Sequence, residues 1–206
     1  MSIVQPRIYL ASQSPRRREL LKQIGVSFEM LLLRSDPRRR MDVDESPLPN
    51  EDPEVYVQRI CGDKVRAGWG ALTFRNLPPY PVLAADTTVT IDGKILGKPR
   101  DRADAVAMLR LLSGRQHQVL SAVSIAFGDR IESRLSITNV TFTELSDDRI
   151  HRYVLTNESH DKAGAYGIQG MAGAFVQRLE GSYSGVMGLP LHETAELLRS
   201  FGQQIP

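Results

Sequence analysis

The strongest constraint on folding is the run Val82-Leu83-Ala84-Ala85-Asp86-Thr87-Thr88-Val89-Thr90-Ile91, apolar and β-branched, followed at once by Asp92-Gly93 and Lys94-Ile95-Leu96. Asp-Gly between two such runs specifies a tight hairpin. Pairing across a two-residue turn sets Ile91 opposite Lys94 and Val89 opposite Leu96, and a continued ladder brings Lys98 beside Thr87 and Asp86. Asp86 is the anomaly in this strand. An ionised carboxylate among apolar neighbours is costly unless a cation or several donors reach it, and Asp is a poor strand residue. By alternation it shares a small, polar face with Ala84, Thr88 and Thr90, which reads as a cleft wall, while Leu83, Ala85, Val89 and Ile91 take the other. A structural Asp satisfied by neighbouring N–H groups fits the same pattern.

Helical patterns are interleaved with strands along the rest of the chain. The short apolar run Ile8-Tyr9-Leu10-Ala11 precedes Ser14 as an N-cap, Pro15 at the first helical position, a stripe of Leu20, Leu21 and Ile24, and Gly25 at the C-terminus. A strand is predicted over 26–33, and 34–41 reads as a basic, mobile loop. Asp52 caps a helix that starts at Pro53 and runs to about residue 69, with Tyr56, Ile60, Lys64 and Ala67 on its inward stripe. A lysine there wants an anion or snorkels to water, the latter being commoner. Asp101 and Ser146 cap two more helices, strands are predicted over 119–127, 130–142 and 174–179, and a last helix over 191–201. Hairpins interleaved with helices indicate an α/β fold with a mixed sheet, and 206 residues suit one domain of two lobes around a cleft.

Three consecutive arginines, Arg16, Arg17 and Arg18, sit in the first turn of the first helix. The positive end of the helix dipole disfavours cations there, so either an anion is expected or the turn is merely basic surface. Register separates them. Arg17 lies on the inward stripe with Leu20, Leu21 and Ile24, Arg16 lies beside it, and Arg18 faces outward with Lys22.

A net charge of +2 with dispersed basic residues lacks the footprint of a nucleic-acid binder. No apolar run approaches the roughly 18 residues of a membrane span, no signal pattern opens the chain, and the single cysteine, Cys61, excludes an internal disulfide, so a cytoplasmic protein is expected. The four histidines, His117, His151, His160 and His192, lack metal-ligand spacing. Neither a Walker A loop nor a G-x-G-x-x-G follows a strand. Arg16, Arg17, Lys64 and Lys98 together with Asp86 suit a polyphosphate: cations neutralise the leaving pyrophosphate, a carboxylate handles the attacking water, and a carboxylate-held divalent metal polarises phosphorus. Gln169, between glycines in Tyr166-Gly167-Ile168-Gln169-Gly170, offers a donor and an acceptor that match the imide edge of uracil or thymine, although a glycine-flanked glutamine is more often a plain loop residue.

Residues 10–21 (LASQSPRRRELL), Asp44-Glu45, 56–64, 83–98 (LAADTTVTIDGKILGK), 113–119 (SGRQHQV) and 161–170 (DKAGAYGIQG) resemble the Maf family of nucleoside triphosphate pyrophosphatases. The last stretch is most similar to the subfamily that hydrolyses dTTP and UTP. The resemblance implies a long mixed sheet with flanking helices, like that of inosine-triphosphate pyrophosphatases, a divalent cation (Mg²⁺ or Mn²⁺), and often a homodimer. It makes Asp86 the proton acceptor and Arg16, Thr87 and Gln169 specificity positions. Ser12, Arg17, Glu45, Lys64 and Lys98 match further cleft residues, with Glu45 a metal partner of Asp86. Turnover of other modified or purine nucleotides, or nucleotide binding by a cell-division regulator, are the alternative functions. A regular strand sends Thr87 away from Asp86, so both reach one ligand only through a bulge, a strand end or a backbone contact.

Overall fold

In a computed structural model, residues 7–34 and 42–205 are described. Residues 35–41, most of the predicted basic loop, lie outside them. The elements are β1 (Arg7–Leu10), α1 (Pro15–Gln23), β2 (Ser27–Met30), α2 (Pro53–Phe74), β3 (Val82–Ile91), β4 (Lys94–Leu96), α3 (Arg102–Leu112), β5 (Gln116–Phe127), β6 (Arg130–Phe142), α4 (Asp147–Leu155), β7 (Val176–Glu180), α5 (Tyr183–Met187) and α6 (Leu191–Ser200). Two 3₁₀ turns, Ala163–Ala165 and Met171–Phe175, flank the glycine-rich stretch.

Six strands lie in the order β2-β1-β3-β5-β6-β7, with β4 added to β3. The β1 pairings are parallel and the others antiparallel, giving the expected mixed sheet. The hairpin register is the expected one, Val89 opposite Leu96 and Ile91 opposite Lys94. The ladder stops at Leu96, however, so Lys98 is exposed and has no strand partner at Thr87. β1 pairs with β3 only at Val82 and Leu83, and β4 only from Val89 onward, so 84–88 have no strand neighbour on that edge. This leaves an open stretch of the β3 edge between β1 and β4.

Helix α2 covers one face of β3 and β5, burying Val57, Ile60, Cys61 and Val65 against Ala84, Leu120 and Ala122. Gly68 permits the close approach, since a Cβ there would lie 2.8 Å from Val82 Cγ1. The helix runs five residues past its predicted end because Leu72 still finds the buried Val82 cluster. On the other face, α1 and α6 pack Leu20, Leu21, Leu197 and Leu198 against Leu83, Ala85, Val123 and Ile125. A separate core beyond the gap joins α3 and α4 to Val89, Ile91, Val140 and Phe142. Among the described residues no helix is long and apolar enough to cross a membrane.

Candidate active site

Asp86 is buried on the α2 side of β3, where the Lys64 ammonium reaches it at 2.6 Å and Glu45 at 2.9 Å. The lysine on the apolar stripe therefore meets anions rather than snorkelling. Burial alone would lower the Lys64 pKa, but the two carboxylates outweigh it and hold the ammonium above its ordinary value. Burial likewise opposes ionisation of Glu45, yet Lys64, then Lys98 and Arg17, hold its carboxyl below the usual range. Lys98, although without an ion pair among the described residues, thus lies within electrostatic reach of Glu45.

Glu45 comes from a loop, and α2 fixes that loop. Tyr56 donates its hydroxyl hydrogen bond to the Glu45 carbonyl at 2.9 Å, Arg59 donates to the Ser46 carbonyl at 3.1 Å, and Arg59 also grips Glu51 at 2.6 Å. The Tyr56 hydroxyl is pushed up to about 12, first by burial and then by Asp86 and Glu45, so it remains a donor.

Thr87 points to the opposite face, as alternation requires, and no bulge brings it round. Asp86 and Thr87 both border the gap beside β3. Arg17 meets Thr87 there: its Nη2 donates to Thr87 Oγ1 at 3.3 Å, its Nη1 to Ser12 Oγ at 3.2 Å and its Nε to the Gly188 carbonyl at 2.7 Å. Burial lowers the Arg17 pKa from its ordinary value, and Asp86 opposes that shift. Ser14 occupies the N-cap without a side-chain cap bond, and its own N–H donates to Ser12 Oγ at 3.3 Å. The first-turn N–H groups of α1 are therefore not consumed by a cap. Arg18 is half-buried rather than solvated.

Arg16 makes no ion pair among the described residues, but it contributes, after Lys162, to holding the Asp161 carboxyl below its ordinary value, so it lies within electrostatic reach of the segment that leads to Gln169. Gln169 is exposed in a turn between the 3₁₀ segments. Glu158 anchors the turn, accepting from the Met171 N–H at 3.0 Å and the Tyr153 hydroxyl at 3.0 Å, and His117 Nε2 bonds the Tyr166 hydroxyl at 2.9 Å. His117 is a buried structural residue, and the other three histidines are exposed.

Sequence reasoning missed α5. The carbonyls of Gly185 within it and of Gly188 at its C-cap hold Ser121, Thr87 and Arg17. The only sequence signals are Ser182 as an N-cap and Gly188 at a left-handed C-cap, φ 116°, around five helical residues too few to show a period.

The described residues contain no group of three or more His, Cys, Asp or Glu able to hold a metal. The donor set that does converge is Asp86 and Glu45, two hard oxygen ligands reaching one point now bridged by the Lys64 ammonium. Mg²⁺ is commonly held by one or two carboxylates plus substrate phosphates, so this pair fits a divalent cation that arrives with a polyphosphate.

The chain is similar to several known proteins. A protein of Aromatoleum aromaticum named dTTP/UTP pyrophosphatase is 56% identical over 98% of this chain and 98% of its own. One of Chromobacterium violaceum with the same name is 52% identical over the whole of both chains. In fold, the Staphylococcus aureus Ham1 protein matches with a TM-score of 0.50 at 18% identity, over 96% of this chain and 100% of that one. The family described as Maf-like protein matches residues 7–201, and the chain belongs to the Maf family.

Proposed function

We propose that this chain hydrolyses dTTP and UTP to the nucleoside monophosphate and pyrophosphate, by attack of water on the α-phosphorus. The observation that carries the reading is the convergence, at the gap beside β3, of a carboxylate pair bridged by Lys64 with the Arg17 end of α1. The names of the close relatives support the choice of nucleotides.

Arg17 and the free N–H groups opening α1 bind phosphate oxygens, with Arg16 and Lys98 completing the cationic rim. Ser12 orients Arg17. Asp86 takes the proton of the attacking water as the new phosphorus–oxygen bond forms, and the bond from the α-phosphorus to the bridging oxygen breaks, sending its electron pair to pyrophosphate. Lys64 keeps Asp86 and Glu45 side by side without mutual repulsion. Asp86 and Glu45 would hold a divalent cation arriving with the polyphosphate, and that cation would supply neutralisation of phosphate charge. Gln169 pairs with the pyrimidine imide edge, and Arg16 faces the same segment.

The whole chain is read as one two-lobed domain acting in the cytoplasm, and sedimentation of the purified protein tests the homodimer that the family resemblance implies. For the activity, the chain is incubated with a panel of nucleoside triphosphates and Mg²⁺ or Mn²⁺ and the products are separated. Pyrophosphate from dTTP and UTP in preference to purine nucleotides is expected; orthophosphate, or no turnover, refutes the proposal.

A further inference from the structure

We infer that Ser121 fixes the hydroxyl of Thr87 as an acceptor toward the cleft, so that Thr87 reads a hydrogen-bond donor of the bound nucleotide. Ser121 is 1% exposed, sits directly opposite Thr87 in the β3–β5 ladder, and lies 2.7 Å from the Gly185 carbonyl oxygen and 2.9 Å from Thr87 Oγ1. Two oxygens at 2.7 Å need a proton between them, and a carbonyl has none, so the single Ser121 proton goes to Gly185. Ser121 can then only accept from Thr87. The Thr87 proton is therefore committed inward, and its one other protein acceptor, the Gly188 carbonyl at 3.4 Å, also lies inside. Arg17 Nη2 occupies one Thr87 lone pair at 3.3 Å. Thr87 is only half-buried, and the remaining lone pair is what it can offer a ligand.

This inference rests on the proposed pyrimidine nucleotide activity. UTP and dTTP share two donors of suitable kind, the imide N–H of the base and the 3′-hydroxyl of the sugar. If Gln169 takes the imide edge, the sugar hydroxyl falls to Thr87. If not, Thr87 takes the imide. In either case Ser121 is a positioning residue, acting through Thr87 and touching no substrate.

The test measures kcat/KM of the full chain for UTP, for CTP, which replaces the imide N–H by a lone pair, and for 3′-deoxy-UTP, which lacks the hydroxyl. Thr87→Val should lower the UTP value by about 10- to 100-fold, the effect of leaving a ligand donor unpaired, and Thr87→Ser should retain most of it. For whichever analogue already lacks the relevant donor, Thr87→Val should cost little. Ser121→Ala should narrow the UTP-to-analogue ratio in that same arm by about threefold or more, because the Thr87 proton is then left with only the long contact to Gly188. Equal losses on all three substrates in Thr87→Val, or an unchanged ratio in Ser121→Ala, would overturn the inference while leaving the activity standing. Failure of the unaltered chain to turn over UTP would overturn both.

Discussion

His117 offers a quantitative test of how the Gln169 segment is held. Its ring is 2% exposed, packs edge-on against Phe142 and Tyr166, and bonds Tyr166 through Nε2, while Nδ1 makes no well-formed hydrogen bond among the described residues. Burial pulls its pKa down to about 4, partly opposed by the Arg115 backbone. The unfolded chain titrates near 6.5, so the folded state refuses a proton that the unfolded state accepts. Stability from the neutral ring is thus fully present above about pH 6.5 and is lost as the pH falls toward 4. With those two values, linkage gives a loss of about 2 kcal/mol between pH 8 and pH 5, approaching about 3 kcal/mol below pH 4. Carboxylates titrate over part of the same range, and a His117→Gln variant, which keeps a polar group near Tyr166 but cannot titrate, subtracts them. Urea unfolding at pH 8 and pH 5 should show the parent losing about 2 kcal/mol more than the variant. Parallel losses in the two proteins would refute the assignment.

Lys64→Met should leave Asp86 and Glu45 facing each other uncompensated, lowering kcat/KM for UTP by about 100-fold or more and destabilising the fold by about 1–3 kcal/mol, since Glu45 is half-exposed. Steady-state kinetics and a melting curve read both. Gly188→Ala meets no close atom, the nearest being Arg17 Nε at 3.7 Å, yet φ of 116° strains any side chain. A cost of about 1–3 kcal/mol in denaturant melts is expected, with a raised KM because Arg17 loses its carbonyl anchor. Tyr56→Phe releases the Glu45 loop and should weaken activation by Mg²⁺ severalfold in a metal titration, with little change in melting temperature.

The elements legible in the sequence were those with local rules. The Asp92-Gly93 turn fixed the β3–β4 register, and Asp52, Asp101 and Ser146 marked helix starts at which each accepts a first-turn N–H. Boundaries set by distant partners were not legible: β2 ends at Met30 because its parallel neighbour β1 ends at Leu10. At the site, residue identity was readable but contact was not. Asp86 stood out as a costly carboxylate, and Arg17 as an inward cation, yet the Lys64 bridge spans 22 residues and the Arg17 anchor at Gly188 spans 171. The predicted conflict between Asp86 and Thr87 was real. Both residues border a gap in the sheet, which depends on where β1 and β4 stop and therefore on packing rather than local pattern.

Water attack at the α-phosphorus, with Asp86 as proton acceptor, is tested most directly by the position of a solvent oxygen label. Hydrolysis of UTP in H₂¹⁸O with Mg²⁺, followed by mass spectrometry, should place one ¹⁸O in the nucleoside monophosphate and none in pyrophosphate, with Asp86→Asn abolishing incorporation. Label in pyrophosphate or orthophosphate, or undiminished labelling by the variant, would contradict the account.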